Sequence, residues 1–317
     1  MRTPLISLTL FLSSFSSFVA MAPAQNSARP AITGISHIAV YASNPASAER
    51  FYVHDIGLEK RGDPENPAGA RYYVNATQFV EVLPLPAGSG NSRLDHLAYN
   101  VADAEALRGY LAAHGVHVPS SVEKASDGSL WLDVKDPEGN TVQFVQPPDA
   151  SRDVAGDAGS NPIGRRIIHV GMLVHSRGAE DAFYRGLLGF RPYWFGGMKP
   201  GTVDWVSQEV PDGHDWLEYM LTSGPSGSGI QDVSQKQLGV LNHFSIGVVN
   251  MEKAVTTLDA GDRIHGEHSP MQLGKDGKWQ FNLFDPDGTR VELMEYEPVE
   301  KPCRSPFTAP NPPVPAE

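Results

Sequence analysis

Apolar and polar residues alternate with a period of two through much of the chain. In residues 280–296 (QFNLFDPDGTRVELMEY), Phe281 and Leu283, then Val291 and Leu293, alternate with other residues around Asp285-Pro286-Asp287-Gly288. Period two marks strands, and a Pro that fixes φ followed by a Gly that accepts positive φ makes the turn. The stretch predicts a hairpin whose second strand carries Glu292 between apolar neighbours. A carboxylate there is costly to bury unless a cation meets it. Residues 131–146 (WLDVKDPEGNTVQFVQ) have the same turn, with Gln143 where Glu292 falls. The chain therefore reads as internally duplicated.

Taken in order, the pattern predicts four β-α-β-β units. Residues 32–41 form a strand carrying His37, and Asn44-Pro45 then reads as an N-cap followed by Pro at the first helical position. A helix over 46–55 closes near Gly57. Strands over 71–75 and 78–83 follow, the second carrying Glu81, with room for one more short strand before residue 71. The second unit has a strand over 94–101 with His96, a helix over 103–114 and the hairpin at 131–146. The third has a strand over 166–175 with His169, a helix over 180–188, and strands near 202–209 and 215–221, the last carrying Glu218. The fourth has a strand over 240–249 with His243, a helix over 251–259 and the first hairpin described. Each pair of units should make one mixed sheet with helices on one face.

The histidine strands share a further regularity. Ile38 and Val40 oppose His37 and Ala39; Leu97 and Tyr99 oppose His96 and Ala98; Val170 and Met172 oppose His169 and Gly171; Phe244 and Ile246 oppose His243 and Ser245. Each histidine points away from the apolar row, and the residue two further on is always small. That leaves room beside the imidazole, as a ligand cavity requires and a packed core does not. In the second half the histidines are accompanied by Glu218 and Glu292, and two imidazoles with two carboxylates suit a divalent first-row metal.

Composition adds boundaries. With 317 residues, 40% of them apolar, the chain can bury two ordinary cores. Residues 1–24 begin Met1-Arg2, continue through an apolar run and end in small residues. That is the pattern of a secretory signal peptide, so a secreted or periplasmic protein with no integral membrane segment after cleavage is expected. Cys303 is the sole cysteine, which excludes an intramolecular disulfide. A net charge of −12 argues against nucleic acid as a partner. Residues 149–164 read as a linker and 298–317 as a Pro-rich tail, disordered or draped over the surface. Residues 222–236 read as a Gly- and Ser-rich loop able to act as a lid, with Gly224, Gly227 and Gly229 as hinges. Trp205, Trp216 and Trp279 are candidates to line a pocket, and Lys278, His214 and Asp215 to touch a substrate.

The segments FYRGLLGF (residues 183–190) and FYVHDIGL (residues 51–58), the two DPxG hairpins and the four histidines resemble the vicinal oxygen chelate superfamily, which includes glyoxalase I, extradiol dioxygenases, epimerases and bleomycin-resistance proteins. The resemblance implies an α+β fold of four βαβββ modules, forming two cupped mixed β-sheets with helices on the outer face. It places one domain at 31–148 and a second at 165–297. It implies metal ligands His169, Glu218, His243 and Glu292 in the second domain, and His37, Glu81, His96 and Gln143 in the first. Gln143 departs from the pattern, being neutral and a poorer ligand than a carboxylate. The second half is therefore read as the active one, and the first as a degenerate scaffold.

The implied cofactor is a divalent ion (Ni, Co, Mn, Zn or Fe), and the implied partner a small molecule. A glyoxalase-like isomerase, lyase or epimerase would use the metal as a Lewis acid on two neighbouring substrate oxygens, with Glu218 or Glu292 as catalytic base. An exported enzyme would meet little glutathione, so another oxygenated substrate is expected. The alternatives are an Fe(II) extradiol dioxygenase and a non-catalytic binding protein. The dioxygenase signature asks for a His and a Tyr upstream of the ligating Glu, where this chain has residues 273–275 and Asn282; His265 and His268 lie not far off.

Overall fold

A computed structural model describes residues 28–148, 159, 161–221 and 233–315. The expected signal peptide, most of the expected linker and residues 222–232 of the expected lid lie outside the described residues. The first half runs β1 (Ile32–Ala42), α1 (Pro45–Glu49) continued by a π-helical turn (Arg50–Asp55), β2 (Glu59–Gly62), β3 (Ala70–Asn75), β4 (Gln78–Pro84), β5 (Leu94–Val101), α2 (Ala104–Ala113), β6 (Glu123–Lys124), β7 (Leu130–Lys135) and β8 (Thr141–Gln146). The second half repeats it. It runs β9 (Ile167–Val174), α3 (Arg177–Glu180) with its π-helical turn (Asp181–Leu187), β10 (Arg191–Gly196), β11 (Trp205–Glu209), β12 (Trp216–Leu221), α4 (Gln235–Leu241), β13 (His243–Val248), α5 (Met251–Ala260), β14 (Gln272–Leu273), β15 (Trp279–Phe284) and β16 (Arg290–Glu295).

Each half is one eight-stranded mixed sheet, in the orders β2-β3-β4-β1-β5-β8-β7-β6 and β10-β11-β12-β9-β13-β16-β15-β14. The two histidine strands of a half pair antiparallel at its centre. Each is flanked by the last strand of its own module, running parallel. The helices begin where the caps demand: Asn44, Asp103 and Asn250 each accept a hydrogen bond from the amide three residues on. Their apolar faces, with Tyr52, Leu107, Tyr184 and Leu258, cover the sheet face opposite the histidines, and both halves contribute to one continuous core.

Two expectations shift, and the tail takes one of its two expected forms. Short edge strands β2, β6, β10 and β14 complete four-stranded modules; with two to six residues each they carry too little alternation to read. The strand expected from residue 240 begins at His243. Ser234 and Gln237 form a reciprocal capping box that opens α4, so Val240 and Leu241 belong to a helix. The tail is draped rather than loose: the Phe195 amide donates to Ser305 Oγ at 2.9 Å, and the Thr308 amide to the Tyr193 carbonyl at 2.9 Å.

One FY motif and one DPxG turn are joined across the two halves. Tyr52 from the first module donates to Asp285 Oδ2 in the fourth module's turn at 2.9 Å, and Asp285 in turn accepts the amides of Asp287 and Thr289. Asp215 does comparable bridging work. Buried, it pairs with Arg166 at 2.8 Å and accepts the Ile35 amide at 3.0 Å.

Candidate metal centre

The antiparallel centre of each sheet brings two imidazoles together nearly at right angles, His37 with His96 and His169 with His243. In the second half His243 lies opposite Gly171, and Ser245 opposite His169. Parallel pairing then brings Glu218 beside Gly171 and Glu292 beside Ser245. The small residues are thus the floor between the four polar side chains. A Cβ built on Gly171 would fall 2.0 Å from His243 Cε1, so only glycine admits the ring in this pose.

The Nε2 atoms of His169 and His243 are 3.1 Å apart. Glu292 Oε2 lies 3.1 Å from His169 Nε2 and 3.8 Å from His243 Nε2, and Glu218 Oε2 lies 3.5 Å from His243 Nε2. Donor atoms of His169, Glu218 and His243 all lie within 4.8 Å of one another, a spacing able to hold a metal ion. His243 Nδ1 donates to the Leu241 carbonyl at 3.0 Å, which leaves Nε2 to present its lone pair to the gap. Burial, with Arg290 and His169 adding to it, holds His243 well below the usual imidazole range and therefore neutral. Burial alone would raise the Glu292 carboxyl, but Arg290 and the contact with His169 outweigh it and keep it ionised. Two imidazole nitrogens and carboxylate oxygens around one gap are the donor set of a divalent ion, and these residues fit one.

The first half repeats the arrangement with His37 opposite Ala98, His96 opposite Ala39, Glu81 beside Ala39 and Gln143 beside Ala98. His37 and His96 bring Nε2 atoms to 2.9 Å, with Glu81 Oε2 at 3.7 and 3.5 Å. This triad is a second group with metal-holding spacing. Burial, then His96 and Arg71, hold His37 low. Burial, then Asp63 and Glu65, push the Glu81 carboxyl up to about 10. A third group, His54, Asp55 and His265, lies where the halves meet, but Arg50 Nη2 reaches His265 Nε2 at 3.2 Å there. A guanidinium in that place makes it an ion-paired cluster.

A cavity of about 400 Å³ opens onto Glu218 and Glu292. Trp205 and Trp216 line it as expected, and Trp216 packs on the His169 ring at 4.7 Å. Trp279 does not; it packs against the main core. Lys278 is fully buried, its Nζ donating to Asn311 Oδ1 at 2.8 Å over the faces of Trp216 and Phe307. Burial draws that ammonium down to about 8, with Asp276 opposing. His214 and Asp215 lie away from the cavity, His214 against Glu209 at 3.5 Å and Asp215 at the seam between the halves. His265 is held by Asp55 at 3.2 Å, and His268 packs on Phe281; neither lines the cavity. Tyr193, Trp194, Arg290 and Phe307 were missed. Phe307 had one signal, a lone aromatic in a Pro-rich tail.

The profile of the Glyoxalase/Bleomycin resistance protein/Dioxygenase superfamily matches residues 34–144 and 166–293. The chain belongs to that superfamily, in two tandem copies. No curated protein matches the sequence closely enough to count as a relative. Among solved structures, a catechol 2,3-dioxygenase superposes with a TM-score of 0.62 at 15% identity, over 90% of this chain and 96% of that one. The Mn(II)-bound glyoxalase from Novosphingobium aromaticivorans superposes with 0.60 at 18% identity, over 84% and 83%. The 2,3-dioxygenase LapB from Pseudomonas sp. KL28 gives 0.60 at 15%, over 86% and 98%. At such identities the likeness establishes a shared fold.

Proposed function

We propose that the chain is an exported, divalent-metal-dependent enzyme of the isomerase, lyase or epimerase kind, acting in its second half on a small oxygenated substrate. The observation that carries this reading is the second carboxylate. Glu218 shares metal-holding spacing with His169 and His243, and Glu292 stands 3.1 and 3.8 Å from the same two Nε2 atoms; an ion that took all four as donors would have room for one chelating substrate rather than for a substrate together with O2. A divalent ion bound there supplies Lewis acidity toward two neighbouring substrate oxygens.

The protein's own groups do the rest. His169, His243 and Glu292 hold the site, and Arg290, with Nη1 3.9 Å from Glu292 Oε1, keeps that carboxylate ionised. Glu218 is the freer acid: its Oε1 has only a 3.5 Å contact with Ser207 Oγ. It is the group placed to take a proton from a substrate carbon. Trp194, Trp205, Trp216 and Phe307 give the cavity an apolar side, beside polar Gln272, Lys275, Gln280 and Arg290 that could contact a substrate's oxygens.

Ring cleavage is the second reading, favoured by the shared fold of the dioxygenases. Against it, Asn282 holds its side chain to Ser269 at 3.3 Å, and neither nearby histidine reaches the cavity. The deciding experiment compares solvent deuterium incorporation into hydroxycarbonyl compounds with O2 uptake on a catechol panel after Fe(II) loading. Exchange that vanishes in Glu218→Gln is expected; O2 uptake without exchange would sink the isomerase reading.

A further inference from the structure

The cavity of the second half has a guanidinium in its wall with no hydrogen-bond partner among the described residues. Arg290, Glu292 and Met294 share one face of β16 and all three line the cavity, so Arg290 enters it beside the carboxylate that faces the gap. Its side chain is only 13% exposed. Nη1 stands 3.9 Å from Glu292 Oε1, too far for a hydrogen bond, and Nε is buried without a partner. Donors held out of water are normally met, and leaving them unmet is costly.

The other half shows that the fold does not ask for this residue. Thr141 precedes Gln143 on β8 as Arg290 precedes Glu292 on β16, and it accepts Lys135 Nζ at 2.7 Å. The buried arginine of that half, Arg71, is met by the protein's own acids, Asp63 at 3.1 Å and Glu65 at 2.6 Å. It lies in register with Glu81 as Ser207 does with Glu218. Arg71 is closed off, whereas Arg290 is left open to the cavity.

Charge and shape say what would meet it. An ion at the centre is offset by Glu218 and Glu292, and Asp276, the other acid in the wall, by the buried Lys278 ammonium. Arg290 is left as a positive charge without an anion, which an anionic substrate would supply. None of the lining residues lies on a helix, so no helix N-terminus is there to cradle a phosphate. A guanidinium is a planar fork that fits a carboxylate through two parallel hydrogen bonds. Its place beside a ligand sets that carboxylate close to the chelated oxygens, with Trp194 and Trp205 left for the remaining carbons.

We propose that Arg290 selects a substrate whose two chelating oxygens are followed, a short carbon span away, by a free carboxylate, as in a hydroxy- or oxo-dicarboxylate. This rests on the metal centre and the chelating substrate of the function proposed above. The test is binding to the Zn(II)-loaded full chain, followed by tryptophan fluorescence. Malate has a hydroxyl and a carboxylate that chelate and a second carboxylate free for Arg290; its 4-amide lacks only that last charge. Malate should bind about 10–100-fold more tightly than the amide, the strength of a charge-assisted hydrogen bond. Arg290→Gln should bring the two affinities together while the amide binds as before. Arg290→Lys keeps a charge beside Glu292 and the bound ion, and should still cut the preference several-fold; a merely structural arginine would weaken acid and amide alike. Equal binding of malate and amide by the wild type, or a preference unchanged in both variants, would overturn the proposal, and so would tighter binding of 3-phosphoglycerate than of malate. A preference lost in Arg290→Gln, in a protein that exchanges no deuterium, would uphold it and sink only the reaction proposed above. Deuterium exchange into neutral hydroxycarbonyl compounds, with no preference for malate, would do the reverse.

Discussion

One methyl group at Gly171 probes how the second centre is held. Its Cβ would lie 2.0 Å from His243 Cε1, 2.4 Å from Nδ1 and 2.9 Å from Nε2. Non-bonded carbons rest about 3.5–4.0 Å apart, so the ring must withdraw by roughly 1.5–2 Å. Withdrawal on that scale breaks the 3.0 Å bond from Nδ1 to the Leu241 carbonyl and parts Nε2 from His169 and both glutamates. Overpacking of this kind costs about 1–3 kcal/mol of stability. Loss of a ligand's orienting partner alone lowers metal affinity about 10–100-fold. Gly171→Ala should therefore fold, with Co(II) affinity at the second centre reduced about 100-fold in chelator competition. The matched control is Ala39→Gly. Ala39 already stands opposite His96, whose Nδ1 turns to Asp95 instead, and removing that methyl should leave the second centre unchanged. Wild-type affinity in Gly171→Ala would refute the claim that the cleared space positions the ligand.

Two further outcomes follow from buried groups outside the centre. Glu180 is buried, with one oxygen unpartnered and the other accepting the Glu138 amide at 3.1 Å; burial, then Asp136 and Glu138, push its carboxyl up to about 8. The folded protein keeps this proton while the unfolded chain loses it near the ordinary value of 4.5, so stability present at low pH is lost as pH rises toward 8. Glu180→Gln should flatten that loss in urea unfolding, gaining about 1–3 kcal/mol at pH 8.5 after solvent screening and almost nothing at pH 4; a parallel curve would contradict it. Phe307 is half-buried against Tyr193 at 4.9 Å. Phe307→Ala should cost about 1–2 kcal/mol and let bulkier substrates compete, read as a fall in their KM against the parent substrate.

The sequence was most legible where one residue type had to recur at one strand position. The four histidines and their small neighbours could be read because alternation reports faces, and each small residue proves to be the floor under the imidazole across the sheet. Glu292 was legible from its apolar flanks. The edge strands and α4 were not, since their short segments take their shape from neighbouring strands and, in α4, from a cap around Ser234 and Gln237. Asp215 was read as a candidate to touch a substrate and is a seam residue, because its partners Arg166, just before β9, and Ile35, on β1, are distant in sequence. Arg71 gave no sign of its role. Only the fold shows that it stands over the first set of donors where Ser207 stands in the second.

The account turns on four side chains of the second half sharing one ion, and the metal content of the purified full chain tests that most directly. Elemental analysis of the wild type, His243→Ala and Glu292→Gln should show one equivalent of divalent metal missing from each variant. Equal metal in all three proteins would contradict it.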